Sequence, residues 1–180
     1  YVDSIFIGCL MSGVNDTIVL DSPIERPDTV WLLFESIGHI NFWSAGTDLT
    51  TGVRNVTIFG ENSNHIAVFS RVLIYVLPFD ASVVSQRTPW ITGNGSGNGS
   101  AGVLYRAVIN ITEPLVEAGT MLDMRSFGKG IAFVNGHLLG RYWTTAGPQR
   151  SLFCPVSYLK FGSASTNEII VFEQQLAHVP

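Results

Sequence analysis

Residues 128–143 read GKGIAFVNGHLLGRYW. Two apolar runs flank an Asn-Gly pair, and the second run ends in Arg-Tyr-Trp, which is the pattern of a β-hairpin. A type I′ turn needs positive φ at both central positions; Asn135 tolerates that conformation and Gly136 adopts it freely. Gly128 and Gly130 are expected to let the chain turn into the first strand. Ile131, Phe133, Leu139 and Trp143 are expected to fill a sandwich core, and Arg141 to pair with a neighbouring carboxylate.

Outward from this hairpin the periodicity remains two-fold. Further candidate strands lie at 17–20, 29–35, 55–59, 70–77, 103–111, 120–124, 151–154 and 167–173, and the hairpin itself supplies 130–134 and 137–142. They are short, rich in Val, Ile, Phe and Tyr, and bounded by Gly, Pro, Asn and Ser. No segment keeps a helical period over ten residues, so an all-β, antiparallel jelly roll or β-sandwich is expected. Residues 93–100 (GNGSGNGS) have nothing to bury and read as a flexible loop. Residues 1–62 are expected to be the C-terminal part of a first β-domain, and 63–180 a second jelly-roll domain that this loop interrupts.

Charged residues are only 13% of the 180 and the formal net charge is −4. Soluble domains usually carry about 25% charged residues, so part of the surface is expected to be covered by sugars, another domain or a partner. An acidic chain has no basic field to attract phosphate, which excludes nucleic acid and anionic lipid as partners. No apolar run approaches the ~20 residues that span a bilayer. Because the chain opens on Tyr1 without a Met or signal region, it is expected to be processed or to be part of something longer.

Five triplets fit the N-glycosylation sequon, at Asn15, Asn55, Asn94, Asn98 and Asn110, more than this composition produces by chance. They imply passage through a secretory route. Cys9 and Cys154 are compatible with either a bridge or two free thiols.

Candidate chemistry is sparse. Retaining glycoside hydrolysis needs two facing carboxylates ~5–5.5 Å apart, and most of the fourteen carboxylates sit in turns or at strand ends. Glu35, Asp123 and Glu173 lie in or beside apolar strands, where a buried carboxylate needs a partner; Arg141 or Arg125 is expected to supply it. His39, His65, His137 and His178 show no metal-ligand spacing, so no metal and no cofactor are expected. Neither a G-x-S-x-G elbow nor a phosphate-binding glycine loop is present. Trp90, Tyr142 and Trp143 are the candidates for stacking on a sugar ring, with Trp90 the most exposed, although aromatics within strands usually serve the core.

Extended, the hairpin reads GKGIAFVNGHLLGRYWTTAGPQRSLFCPVSYLK and is followed by NEIIVFE. This closely resembles the C-terminal jelly-roll module of family 35 glycoside hydrolases, the lysosomal and plant-type β-galactosidases, whose pattern is GKGxxxVNGxxLGRYW, GPQxTLYVP and NxIxVxExE. Residues 32–60 resemble that family's LVENMGRVNYG…KGIxxNVTL, and YVDSIFIGCL looks like a strand pair of the same preceding β-domain. The chain has Ser36, His39 and Cys154 where the family usually has Asn, Arg and an aliphatic residue.

The resemblance implies a retaining β-galactosidase that releases terminal β-linked galactose, with its acid/base and nucleophile glutamates in an N-terminal (β/α)₈ barrel. Nothing in this chain resembles that barrel, so no catalytic residue is carried over. The chain is expected to be a non-catalytic segment that docks on the rest of the enzyme. Asn135, Gly136, Arg141, Glu35 and Glu173 are expected in structural roles, and the location is expected to be lysosomal or extracellular. The alternative is an autonomous carbohydrate-binding module.

Overall fold

Alternating sequence becomes a strand only where a neighbour takes up the backbone N–H and C=O groups. Among the described residues, the strands that meet that condition lie between residues 103 and 173. The computed structural model describes residues 7–10, 17–20, 30–35, 53, 56–59, 71–77, 79–80, 84, 90, 102–113 and 119–175. Two compact units divide the chain, Tyr1–Tyr75 and Val76–Pro180. The expected domain boundary after residue 62 and the expected loop 93–100 lie outside the described residues.

In the second unit the strands are β1 (Val103–Ile109), β2 (Gly119–Asp123), β3 (Lys129–Val134), β4 (His137–Trp143), β5 (Ser151–Pro155) and β6 (Asn167–Glu173), with one 3-10 turn at Val156–Tyr158. They form a four-stranded sheet in the order β1-β6-β3-β4 and a two-stranded sheet β2-β5, and every pairing is antiparallel. The all-β expectation holds. Among the described residues no helix is long and apolar enough to cross a membrane.

The β3–β4 connection is the two-residue turn read from the sequence, with φ of 49° at Asn135 and 83° at Gly136. Farther along, the register slips: Ala132 faces Gly140 while Phe133 faces Leu138, so Leu139 is an extra residue. Such a bulge locally re-aims side chains.

The sandwich core lies between the two sheets. Met124, Ala132, Tyr142, Leu152 and Val171 are buried there, and Tyr105, Leu122, Phe127, Leu139 and Ile169 pack around them. Full burial of one large apolar side chain contributes about 1.5–3 kcal/mol. The opposite face of the four-stranded sheet is apolar as well: Phe133 and Ile170 are buried with Val84, and Phe79, Trp90, Leu104 and Ile131 pack against them.

This second cluster corrects the expected core. Ile131 and Phe133 belong to the outer cluster rather than the sandwich, and Trp143, opposite Lys129, shares their side of the sheet. Ala132 and Tyr142 occupy the sandwich instead, and the bulge brings Leu139 in beside them. A sheet that is apolar on both faces carries no alternation of polarity to mark which face is the main core.

The candidate strands that precede 103–111 are also corrected. Of their described residues, 17–20 and 71–77 form no ladder, and only Val30 and Phe59 make isolated bridges in 29–35 and 55–59. Within 71–77, Ile74 is 89% and Val76 86% exposed. Apolar alternation signals that a segment has faces to bury, but the ladder depends on a partner edge that sequence spacing does not identify.

Gly130 was expected to help the chain turn into the strand; it lies instead inside β3, opposite Tyr142. A Cβ there would run into the Phe172 carbonyl oxygen and come within 2.5 Å of the Tyr142 hydroxyl. Gly130→Ala is therefore expected to destabilise the second unit by about 2–3 kcal/mol through overpacking. At Gly147 a Cβ would meet nothing within 4 Å, so Gly147→Ala should shift stability by no more than ~0.5 kcal/mol. Urea unfolding of both variants checks the contrast.

Candidate functional site

The hairpin tip, the β1–β6 edge and the 159–166 loop enclose an open polar cleft of about 420 Å³. Arg106 and Val108 of β1, Glu168 of β6, Asn135 and Gly136 of the turn, and Lys160 and Thr166 of the loop line it. Two-residue alternation puts Arg106 and Val108 on one face of β1, and Val108 pairs with Glu168 across the ladder. Arg106 Nε donates to Glu168 Oε1 at 2.6 Å. The Arg106 guanidinium carbon also lies 5.5 Å from the Trp90 ring centroid, a cation–π distance.

Asn135 and Asn167 hold the tip and the loop together. Asn135 Nδ2 donates to the Tyr158 carbonyl and to Asn167 Oδ1, both at 2.7 Å, while Glu168 N donates to Asn135 Oδ1 at 2.9 Å. The fully buried Asn167 accepts from Lys160 N at 2.7 Å and donates to the Lys160 carbonyl at 2.8 Å. The Asn135 amide group is thus committed to structure at the cleft floor. The His137 and Tyr158 rings stack above this junction, with centroids 4.1 Å apart and 13° between planes.

The expected sugar-stacking platform of Trp90, Tyr142 and Trp143 is not assembled. Tyr142 and Trp143 are neighbours on β4 and so point to opposite faces. Tyr142 is only 5% exposed, which leaves no ring face for a ligand. Trp143 is half-buried with Lys129 Nζ 4.8 Å from its centroid, and Trp90 is half-buried against the outer cluster.

Tyr142 instead serves Glu173. This fully buried carboxylate accepts Gly128 N at 2.9 Å and the Tyr142 hydroxyl at 3.0 Å on Oε2. Its Oε1 accepts Lys129 N at 3.0 Å and Gln175 N at 2.9 Å. The expectation that a guanidinium satisfies Glu173 is thereby corrected: its hydrogen-bond donors are three main-chain amides and a phenol. Arg141 is exposed on the other face of β4 from Tyr142. Burial first, and then the Glu173 charge and hydrogen bond, push the Tyr142 hydroxyl far above the ordinary tyrosine range, so it remains a donor. Burial, with a smaller contribution from Glu173, also raises Tyr105.

Asp123 does meet Arg125, whose Nε donates to Oδ2 at 2.8 Å. That side-chain bond, supported by Arg125 N, holds the Asp123 carboxyl below the usual range. Both partners are exposed, so the pair adds little stability. Glu35 is half-buried in the first unit. Of the five sequons, Asn110 is described and exposed, with Nδ2 donating to the Ser163 carbonyl at 2.9 Å; Asn15, Asn55, Asn94 and Asn98 lie outside the described residues. Cys9 and Cys154 are free thiols, the second buried and pushed up by that burial. Among the described residues no cluster of His, Cys, Asp or Glu is arranged to hold a metal ion.

Arg106, Lys160, Thr166 and Glu168 were not singled out by the sequence. Arg106 and Glu168 interrupt otherwise apolar strands, which is a signal, but it becomes a site only once the β1–β6 register is known.

Residues 103–164 match the family described as β-galactosidase, galactose-binding domain. The chain is 32% identical over 171 residues to β-galactosidase 1 of Dictyostelium discoideum, which covers 93% of the chain and 24% of that relative. It is 26% identical over 171 residues to human β-galactosidase, covering 88% of the chain and 24% of the relative. Against β-galactosidase 17 of Arabidopsis thaliana the identity is 43% over 60 residues, 33% of the chain and 8% of the relative. The chain spans a quarter or less of the length of these relatives.

The sandwich of the second unit therefore carries a β-galactosidase galactose-binding domain. The match at residues 103–164 and the similarity over most of the chain to full-length β-galactosidases agree with the resemblance of its hairpin and C-terminal strand to the C-terminal β-domains of family 35 β-galactosidases.

Tyr142→Phe is expected to cost about 1.5–3 kcal/mol, the loss of a hydrogen bond to a buried charged group. The Tyr105 hydroxyl is buried without a hydrogen-bond partner, so Tyr105→Phe should be neutral within ~0.5 kcal/mol or mildly stabilising. Denaturant midpoints of the two variants, compared side by side, check this.

In the native protein the exposed Cys9 should alkylate with iodoacetamide well before Cys154, whose thiol is buried and protonated. Peptide mass spectrometry after timed quenching would read the order.

Proposed function

We infer that this chain is a non-catalytic C-terminal β-domain segment of a retaining β-galactosidase, and that it docks on and stabilises a catalytic barrel supplied by the rest of the enzyme. The observation that carries this reading is a solvent-facing apolar pair on the two-stranded sheet. Met121 and Phe153 are directly paired across β2 and β5 and are 53% and 51% exposed. The inner residues of the same strands, Leu122 and Leu152, pack into the core. A two-stranded sheet that is apolar on both faces is suited to lie between two bodies.

The length relation supports the same reading, since the relatives are about four times as long as the aligned region. The carboxylates with defined partners are also committed elsewhere. Glu173 is sealed and saturated, Asp123 is held by Arg125, and Glu168 by Arg106. The catalytic glutamate pair for terminal β-linked galactose is thus assigned to the remainder of the enzyme. Galactoside reaches this segment only as part of the whole, and the location is lysosomal or extracellular. An autonomous carbohydrate-binding module is the weaker reading: among the described residues the lining of the polar cleft contains no aromatic ring on which a free sugar stacks.

In the full-length enzyme, Met121→Glu and Phe153→Glu are each expected to lower the thermal midpoint and shorten the half-life of β-galactosidase activity. The kcat/KM per folded molecule at low temperature should stay unchanged. The isolated chain should hydrolyse no chromogenic β-galactoside and give no saturable heat with galactose in a calorimeter. Turnover by the isolated chain, or saturable binding at millimolar affinity, overturns the assignment.

A further inference from the structure

We propose that the polar cleft between the β1–β6 edge and the 159–166 loop is the seat of an N-linked glycan core carried by Asn110. Passage through a secretory route is presupposed. Asn110 begins the sequon Asn110-Ile111-Thr112 directly after β1. Counting back in twos places it on the face of Arg106 and Val108, both of which line the cleft. Its Nδ2 donates to the Ser163 carbonyl at 2.9 Å, and Gly162 N donates to the Ile111 carbonyl at 3.0 Å. The end of β1 is thereby stitched to the loop that brings Lys160 and Thr166 to the same cleft. A group on Asn110 starts at its rim.

The covalent step needs only a lipid-linked diphosphate oligosaccharide as donor. A bond forms between Asn110 Nδ2 and sugar C1, the C1–O bond to the diphosphate breaks, the diphosphate leaves on its lipid, and one Nδ2 proton is released. The remaining Nδ2–H keeps the bond to Ser163.

The cleft chemistry suits a saccharide held at its flank. The Lys160 ammonium and Thr166 hydroxyl are exposed, and no side-chain hydrogen bond engages either among the described residues. They can donate to sugar hydroxyls and an N-acetyl carbonyl, while Glu168 offers its second oxygen as an acceptor. Val108, 56% exposed, presents an apolar patch to the sugar's C–H face. About 420 Å³ lies within the ~300–1,000 Å³ range of small-molecule sites.

The cleft lacks a ring for a free sugar, but a tethered one needs far weaker contacts, because a short linker holds it at millimolar effective concentration. A seated glycan also covers β1, the edge strand of its sheet among the described residues, whose exposed Val108 and Ile109 otherwise invite edge pairing.

The test is to express the full-length protein in eukaryotic secretory cells and measure sequon occupancy by glycopeptide mass spectrometry. The native protein is then trimmed with an endoglycosidase that cuts within the chitobiose core. Asn110 should be occupied and trimmed slowly. A double variant, Lys160→Ala with Thr166→Ala, should speed trimming at Asn110 several-fold and leave the other occupied sequons unchanged. Both residues are exposed, so the fold is retained, which an unchanged thermal midpoint verifies. An empty Asn110 beside other occupied sequons overturns the proposal while the secretory reading stands. No occupied sequon at all overturns both. An occupied Asn110 whose trimming is fast, or is indifferent to the double variant, overturns the seat.

Discussion

Glu173 is the residue on which the sandwich turns. A carboxylate with no exposed surface is costly to bury unless its oxygens are fully engaged. Here four donors meet it, from three separate places in the sequence: the start of β3, the end of β4 and the chain just beyond β6. Gln174 N donates to the Lys129 carbonyl at 2.8 Å beside them. These bonds tie the ends of strands that the ladders alone would leave free to slide by a residue. The absence of a Cβ at Gly130 follows from the same knot, because the Tyr142 phenol and the Phe172 carbonyl occupy that space. Gly130, Tyr142 and Glu173 are one structural device.

A second device at the other end of β3 works on neutral amides. Asn135 both turns the hairpin and extends the β3–β6 ladder, with its backbone N donating to Glu168 O at 2.8 Å and its side chain accepting Glu168 N. Asn167, at the beginning of β6, completes the junction to Lys160. The cleft floor is therefore rigid, and its movable groups are the charged and hydroxyl-bearing side chains at the mouth. That division suits a surface which positions a flexible ligand without closing over it.

Much of the second unit was legible because its signals are local. Turn chemistry at Asn135-Gly136 and alternation in 103–111, 151–154 and 167–173 led to strands in the right places. The hairpin motif and NEIIVFE carried the family resemblance. Which face is which was not legible: with apolar clusters on both sides of the sheet, Ile131 and Phe133 look the same from either. The Leu139 bulge is likewise a property of the register. Tyr142 was misread because its neighbours suggested a ligand platform, while its actual partner lies thirty-one residues away. The candidates that precede 103–111 show the same limit in another form, since alternation without a known partner edge does not establish a ladder.

The sheet order has a consequence for the timing of folding. β6 is sixth in sequence but lies between β1 and β3 in space. Among the described strands, until Asn167–Glu173 has been synthesised β1 has no neighbour in its sheet and β3 has only β4. Closing the sheet requires contacts between residues far apart in sequence, which slows assembly and leaves apolar strands open while the chain waits. The β3–β4 hairpin, with its two-residue turn, is the part able to form early. Synthesis halted before β6 would leave a fragment with a formed hairpin and an unpaired β1, a substrate for chaperones rather than a smaller version of the domain.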